Sequence, residues 1–263
     1  MRPLYYGCLA ILLIFCSCKK QYSVELPSGN NSGSDSGTYF PSTAGSTWTY
    51  TVTSKVQLDS QFVIQYLDSL GFTLAGLDSL GFSIGSLDSL FASFTSLADT
   101  SYLLTVNCTG QDTMINGKSN TIYTTNGNEV YLNKSNGNYT FIGQFFGTTT
   151  SGILINQQAS MLVLKDNQPV GTTWQDSLGL LGYTDIYNYS IKAKGIAKTV
   201  NGVVFNNVIE VEYSLTNTIF PFNASFITVD DYFALNKGLI SVESAPAIGG
   251  GTIDEELTSY TIK

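Results

Sequence analysis

Four Asn-Gly pairs, at 116–117, 126–127, 136–137 and 201–202, restrict the fold of this 263-residue chain more than any other feature. Both residues of such a pair accept a positive φ, which a two-residue hairpin turn demands and which matches the twist of the strands it joins. The flanking segments alternate with a period of two, the pattern of a strand with one buried face. The segment 185–216 is the clearest case. Asp185 to Val200 and Val203 to Thr216 flank Asn201-Gly202, predicting a long hairpin. In its second arm Ile209, Val211, Tyr213 and Leu215 share one face, and Glu210, Glu212 and Ser214 share the other. Trp48, Tyr50 and Val52 alternate in the same way with Thr47, Thr49, Thr51 and Thr53. Further strands are predicted over 101–107, 119–125, 128–133, 138–143, 160–165, 225–235, 239–244 and 257–263. Many hairpins and few crossovers predict an all-β fold, a curved antiparallel sheet or half-barrel that manages its edges by curling. A composition 43% hydrophobic and 13% aromatic supplies enough apolar surface for a sizeable core.

Residues 1–18 follow different rules. Arg2 is the one arginine of the chain, and Leu4 to Phe15 is almost wholly apolar. That run has the length of a signal-peptide core and is too short to cross a bilayer as a helix. The sequence Phe15-Cys16-Ser17-Cys18-Lys19-Lys20 resembles a bacterial lipoprotein signal, with a small residue before the cysteine that becomes the new N-terminus. The resemblance implies a signal peptide over 1–17, acylation of Cys18, and an anchor that needs no transmembrane helix. Cys16 is the alternative acceptor, but bulky Phe15 precedes it. Residues 18–38 then serve as the lipidated N-terminus and a Ser/Gly/Asn-rich tether. A single β domain is expected over 39–263. Cys108 is the one cysteine outside the leader, and it reads as a packing residue at a strand end.

A ten-residue unit interrupts the β pattern. Leu67 to Gly76 recurs as Leu77 to Ser86 and, in decayed form, as Leu87 to Ser96. Three short copies cannot form a solenoid. They are expected to be an insert over 57–100, with short helical turns capped by Asp or Ser.

Composition narrows the chemistry. A formal charge of −8 argues against nucleic acid, whose phosphates call for a basic surface. The chain has no histidine, so it has no His-based triad and no His metal site. No Asp-x-Asp-x-Asp loop suggests calcium, and no metal or other cofactor is expected. A carboxylate pair is the remaining acid/base apparatus. Glu210 and Glu212 share a strand face about 7 Å apart by strand geometry, which a solvated outer face also explains. Asp230 and Asp231 must point to opposite faces. Asp254-Glu255-Glu256, following Gly249-Gly250-Gly251, reads as an exposed acidic loop. Gly45 and Gly171 precede tryptophan in matching Gly-(Ser/Thr)-Thr-Trp segments, which read as turns whose Trp48 and Trp174 plug an end of the sheet.

Several blocks carry a wider likeness. Tyr39-Phe40-Pro41 with Ala44-Gly45-Ser46-Thr47-Trp48-Thr49-Tyr50, then Pro169 to Trp174, Gly202 to Val211, and Asp231 to Ile240, resemble in that order a group of uncharacterised extracytoplasmic β-sheet lipoproteins of Bacteroidetes type. The resemblance implies a curved antiparallel sheet or half-barrel similar to lipoprotein-carrier folds, and it implies no catalytic residue. Asp68-Ser69-Leu70, Asp78-Ser79-Leu80 and Asp88-Ser89-Leu90 resemble the Asp-(Ser/Thr)-aliphatic acceptor of O-glycosylation in such bacteria, as do Asp112-Thr113-Met114 and Asp176-Ser177-Leu178. Ser69, Ser79, Ser89, Thr113 and Ser177 are therefore the candidate modification sites, although Asp-Ser also makes turns and caps.

These readings converge on a membrane-anchored, non-enzymatic lipoprotein with a structural or binding role in the cell envelope. It would be anchored in the outer membrane, on the periplasmic side or at the cell surface. Expected partners are the membrane, through the lipid, and an apolar ligand or an envelope protein. The alternatives are a carrier of a lipid or other apolar ligand on the concave sheet face, and a carbohydrate hydrolase using Glu210 and Glu212.

Overall fold

The computed structural model describes residues 37–55, 100–148, 154–180, 183–217, 227–246 and 252–263. Cys18, the tether before residue 37, the repeat with Ser69, Ser79 and Ser89, and Gly249 to Gly251 lie outside the described residues.

The described chain forms β1 (Thr47–Lys55), β2 (Thr100–Ile115), β3 (Lys118–Thr125), β4 (Asn128–Ser135), β5 (Asn138–Thr148), β6 (Leu154–Lys165), β7 (Thr173–Leu180), β8 (Tyr183–Val200), β9 (Val203–Asn217), β10 (Ile227–Ala234), β11 (Gly238–Pro246) and β12 (Thr252–Thr261). Among the described residues there is no helix. All twelve strands belong to one antiparallel sheet in the order β6-β5-β4-β3-β2-β1-β12-β11-β10-β9-β8-β7. The predicted curved sheet is thus present, with its first and last strands paired at the middle.

Local chemistry explains the hairpins. The Asn and Gly of all four Asn-Gly pairs have positive φ, from 48° to 83°, as the two-residue turn requires. Strand β1 alternates between half-buried threonines and buried Trp48, Tyr50, Val52 and Ser54. Three expectations need correction. Strand β7 begins at Thr173, where the sequence suggested only a turn, because Gly171 ends the bend and Thr173-Trp174 is already paired with β8. Asp254-Glu255-Glu256 is not an exposed loop. It lies within β12 and pairs with Val52 and its neighbours on β1. Cys108 lies inside β2 rather than at its end, since β2 continues to Ile115 past a register shift between Cys108 and Asp112.

One face of the sheet carries the core. Val52, Leu164, Ile191, Val211, Ile240 and Leu257 are at most 1% exposed. Among the described residues no second layer covers this face, so the sheet buries it by curling on itself. Phe40, in the arm before β1, demonstrates the curl. Its ring lies 5.5 and 5.1 Å from Tyr139 and Phe141 of β5 and 5.4 Å from Phe233 of β10, although β5 and β10 are seven places apart in the strand order. Each fully buried aliphatic or aromatic side chain contributes about 1.5–3 kcal/mol. Burial on this scale offsets the ordering entropy of a chain whose one described cysteine, Cys108, is free.

The two sheet edges, β6 and β7, meet through side chains. Trp174 Nε1 donates to the Leu162 carbonyl at 2.7 Å, and the Leu162 N–H donates to Asp176 Oδ2 at 2.8 Å. One residue of β6 thus has both main-chain groups held by β7. The curled sheet is nearly closed.

Strand directions give the barrel two distinct ends. At one end lie the turns 116–117, 136–137 and 201–202, the β6–β7 connection, the β10–β11 turn and the N-terminal arm. The arm is stitched there: Thr38 N–H donates to Asn236 Oδ1 at 3.0 Å, Asn236 N–H donates to the Thr38 carbonyl at 2.7 Å, and Tyr123 Oη donates to the Pro41 carbonyl at 2.9 Å. Trp48 Nε1 donates to the Lys237 carbonyl, which seats the indole against the β10–β11 turn. Trp48 therefore plugs this end, as expected, whereas Trp174 serves the seam.

Candidate functional site

The inner face changes character toward the other end. Cross-strand register places Ile191 (β8), Val211 (β9), Asp231 (β10), Val242 (β11), Glu255 (β12) and Val52 (β1) in one lateral row. The next row toward the far end holds Trp174, Tyr189, Tyr213, Val229 and Ser244. Two carboxylic acids thus share an inner row with Val242 between them, their backbones about 10 Å apart at two inter-strand spacings.

The aromatic residues form a wall along β7–β9. Trp174 and Tyr189 stack at 5.1 Å with their planes 4° apart. Tyr213 lies 5.2 Å from Tyr189 and 6.0 Å from Tyr187. Tyr189 is 3% exposed, but Tyr213, Asp231 and Glu255 remain half-buried. These three are enclosed by protein while keeping accessible surface, the condition of groups that line a concavity rather than a sealed core.

Burial acts on every ionisable group here. It pushes the Asp231 carboxyl up to about 8, with Glu255 and then Asp230 adding repulsion. Burial alone raises Glu255 to about 7. Burial also raises Tyr213 well above its usual range, and Asp231 and neighbouring tyrosines add to the effect. Both carboxyls therefore take up protons near neutral pH because their anions are poorly solvated. Among the described residues neither has a hydrogen-bond or ion-pair partner. Lys165 Nζ lies over the Trp174 ring, 5.2 Å from its centroid, and three other lysines are engaged elsewhere. Lys192 bonds Glu212 at 3.0 Å, Lys198 pairs with Glu243, and Lys194 donates to the carbonyls of Asp166 and Gln168.

The outer face places Glu210 and Glu212 opposite the buried Ile209 and Val211. Glu212 is occupied by Lys192, and Glu210 accepts from Tyr232 Oη at 3.4 Å. Asp230 shares this face, and burial, with Glu210, Glu212 and Glu243 adding, raises its carboxyl. Asp230 and Asp231 point to opposite faces, as the alternation required. A hydrolytic site on Glu210 and Glu212 would sit on the convex side, away from the concavity. Thr113 is half-buried in β2, and its neighbour Asp112 accepts from Thr121 Oγ1 at 2.9 Å. Ser177 is exposed on β7, while Asp176 is committed to the seam. Among the described residues no three His, Cys, Asp or Glu side chains gather as metal ligands would.

The sequence reading missed that Asp231 and Glu255 share an inner row, yet a signal was present. Asp231 is in phase with Val229 and Phe233, and Glu255 with Ile253 and Leu257. An acid in the apolar phase of a strand faces the core.

No protein-family model matches the chain, and no curated protein does. Among solved structures, the chain is similar to a protein from Bacteroides fragilis described as exported, with a YmcC-like fold, at 9% identity and a TM-score of 0.44. The match covers 86% of this chain and 99% of that one. It is also similar to a protein from Parabacteroides distasonis described as a lipoprotein, at 9% identity and a TM-score of 0.40, over 87% of this chain and 100% of that one.

Proposed function

We propose that the chain is a non-enzymatic binding lipoprotein of the bacterial envelope, anchored in the outer membrane through acylated Cys18. The observation that carries the binding role is the divided inner face. Near the N-terminal arm it is filled by Phe40, Trp48, Tyr139 and Phe233. Toward the far end it presents half-buried Tyr213, Asp231 and Glu255. The hydrogen bonds of Thr38 support an orientation. Thr38 is held at the end where the N-terminal arm lies, which supports a reading with the membrane on that side and the polar inner face on the other. A purely apolar ligand is the weaker occupant, because it would leave two carboxyls desolvated without compensation.

Metabolic labelling with an alkynyl fatty acid tests the anchor. The wild-type chain and Cys16→Ser are expected to carry label and sediment with membranes, and Cys18→Ser to lose both properties. A Cys18→Ser chain that keeps its label removes the anchor from this proposal.

A further inference from the structure

The inner face of β8–β12 holds an electrostatic imbalance that the fold itself does not resolve. Asp231 and Glu255 share one row of the inner face on strands two apart. Both are surrounded by protein, and neither has a partner among the described residues. The groups facing them are Tyr189 of β8, Tyr213 of β9 and Tyr50 of β1, together with apolar Val211 and Val242. Tyr50 is tied to the Leu239 carbonyl at 2.9 Å and is turned toward the plugged end. The half-buried ring of Tyr213, backed by the Trp174–Tyr189 stack, offers an electron-rich face, and the carboxyls offer negative charge. Together they form the setting in which an organic ammonium is recognised. A neutral guest could accept hydrogen bonds from the two acids while they are protonated but would leave their charge uncompensated once they ionise. A metal ion would find two carboxylates in an aromatic surround, too few oxygens for calcium or magnesium.

We infer that this part of the inner face binds a small organic amine, its ammonium group between Asp231 and Glu255 and its carbon skeleton against Tyr213. The inference rests on the proposed binding role and names the class of ligand. The ammonium would supply the ion-pair partner that Asp231 and Glu255 lack among the described residues, and both acids would ionise when it enters. Amine binding would therefore release protons and strengthen as pH rises from 6 to 9.

The test is titration of the full acylated chain in detergent with benzylamine, and with benzyl alcohol as the neutral analogue of the same shape, followed by tyrosine fluorescence and calorimetry. Saturable benzylamine binding is expected at pH 8, at least about tenfold tighter than benzyl alcohol and several-fold weaker at pH 6. Asp231→Asn and Glu255→Gln are each expected to weaken it about tenfold, the value of one charge-assisted contact. Glu129→Gln, exposed on β4, should leave it unchanged. Both carboxamide variants remove an unsolvated charge and are expected to fold, which circular dichroism verifies. Equal binding of the alcohol, undiminished binding in the double variant, or no saturation with benzylamine overturns the inference. Fatty-acid labelling of the same preparation separates the two proposals. A labelled chain that ignores benzylamine loses only the ligand class, and an unlabelled chain that binds it loses only the anchor.

Discussion

The molecule is two six-stranded meanders that start alike and end differently. β1–β6 opens with Gly45-Ser46-Thr47-Trp48 and β7–β12 with Gly171-Thr172-Thr173-Trp174. Both openings make the same pair of backbone bonds to the next strand. Gly45 N–H donates to Cys108 O at 3.0 Å, and Cys108 N–H to Ser46 O at 2.8 Å. Gly171 N–H donates to Ile191 O at 2.8 Å, and Ile191 N–H to Thr172 O at 3.0 Å. The first half then inserts β1 into a continuous ladder with β12, while the second leaves β7 at the edge, joined to β6 through Trp174 and Asp176. The inner faces diverge as well. The inward residues Trp48, Tyr50, Val52, Leu104, Leu132 and Tyr139 of the first half include no acid, whereas the second half turns Asp176, Asp185, Asp231 and Glu255 inward. One half supplies the plugged core; the other supplies the seam and the candidate site.

The tryptophans give the largest expected contrast. Trp48→Ala empties a fully buried volume and is expected to cost about 4 kcal/mol by chemical denaturation, within the usual range for such truncations. Trp174→Ala should cost about half as much, because the indole is half-buried. It should also speed amide exchange selectively in β6 and β7, as Leu162 loses a partner. Equal losses with no exchange signature would show that the seam is not a distinct junction.

Titration separates the halves next. Asp231 binds its proton more tightly when folded, at about 8 against 3.8, and Glu255 does so at about 7 against 4.5. Groups raised in this way contribute stability at low pH that declines as pH rises through the folded values. Stability is therefore expected to fall between about pH 4 and pH 8. Asp231→Asn should recover on the order of 2–4 kcal/mol at pH 9 and almost nothing below pH 4. A melting profile whose slope the variant does not flatten would mean that Asp231 is better solvated than its enclosure implies.

The glycines that bend β2 and β8 provide a smaller contrast. Gly110 and Gly195 both have φ near +70°, so alanine strains either by about 1 kcal/mol. A Cβ at Gly110 would also lie 2.3 Å from the Ala44 Cβ, whereas one at Gly195 meets nothing within 4 Å. Gly110→Ala should therefore be the more destabilising, by about 2 kcal/mol in urea denaturation, as expected when a packed contact must shift. Equal effects would show that the arm before β1 yields without cost. The smallest effect is expected on the outer face. Glu212→Gln breaks an exposed ion pair and should move the melting temperature by no more than about 1 °C.

Much of the fold was legible because its signals are local. Asn-Gly pairs set turns through their own φ preferences, and the alternation around Ile209, Val211 and Tyr213 set a face without reference to any other strand. Strand β7 was obscured because Gly171 and Thr172 look like a turn that continues, and only pairing with β8 shows where it stops. Glu255 was obscured by its neighbours. Three acids after three glycines suggest solvent, and the phase with Ile253 and Leu257 carries weight only once β12 is known to lie between β1 and β11.

By itself, the sequence determined the hairpins, the antiparallel class, the opposite facing of Asp230 and Asp231, and the absence of any histidine chemistry. These depend on backbone preference, side-chain period and composition, all of which are local. Tertiary structure alone decided that the first and last strands pair, that β6 and β7 meet through Trp174 and Asp176, and that Asp231 and Glu255 share a row. Those outcomes join residues far apart in the chain, and register between strands, which no single strand encodes, fixes which of them meet.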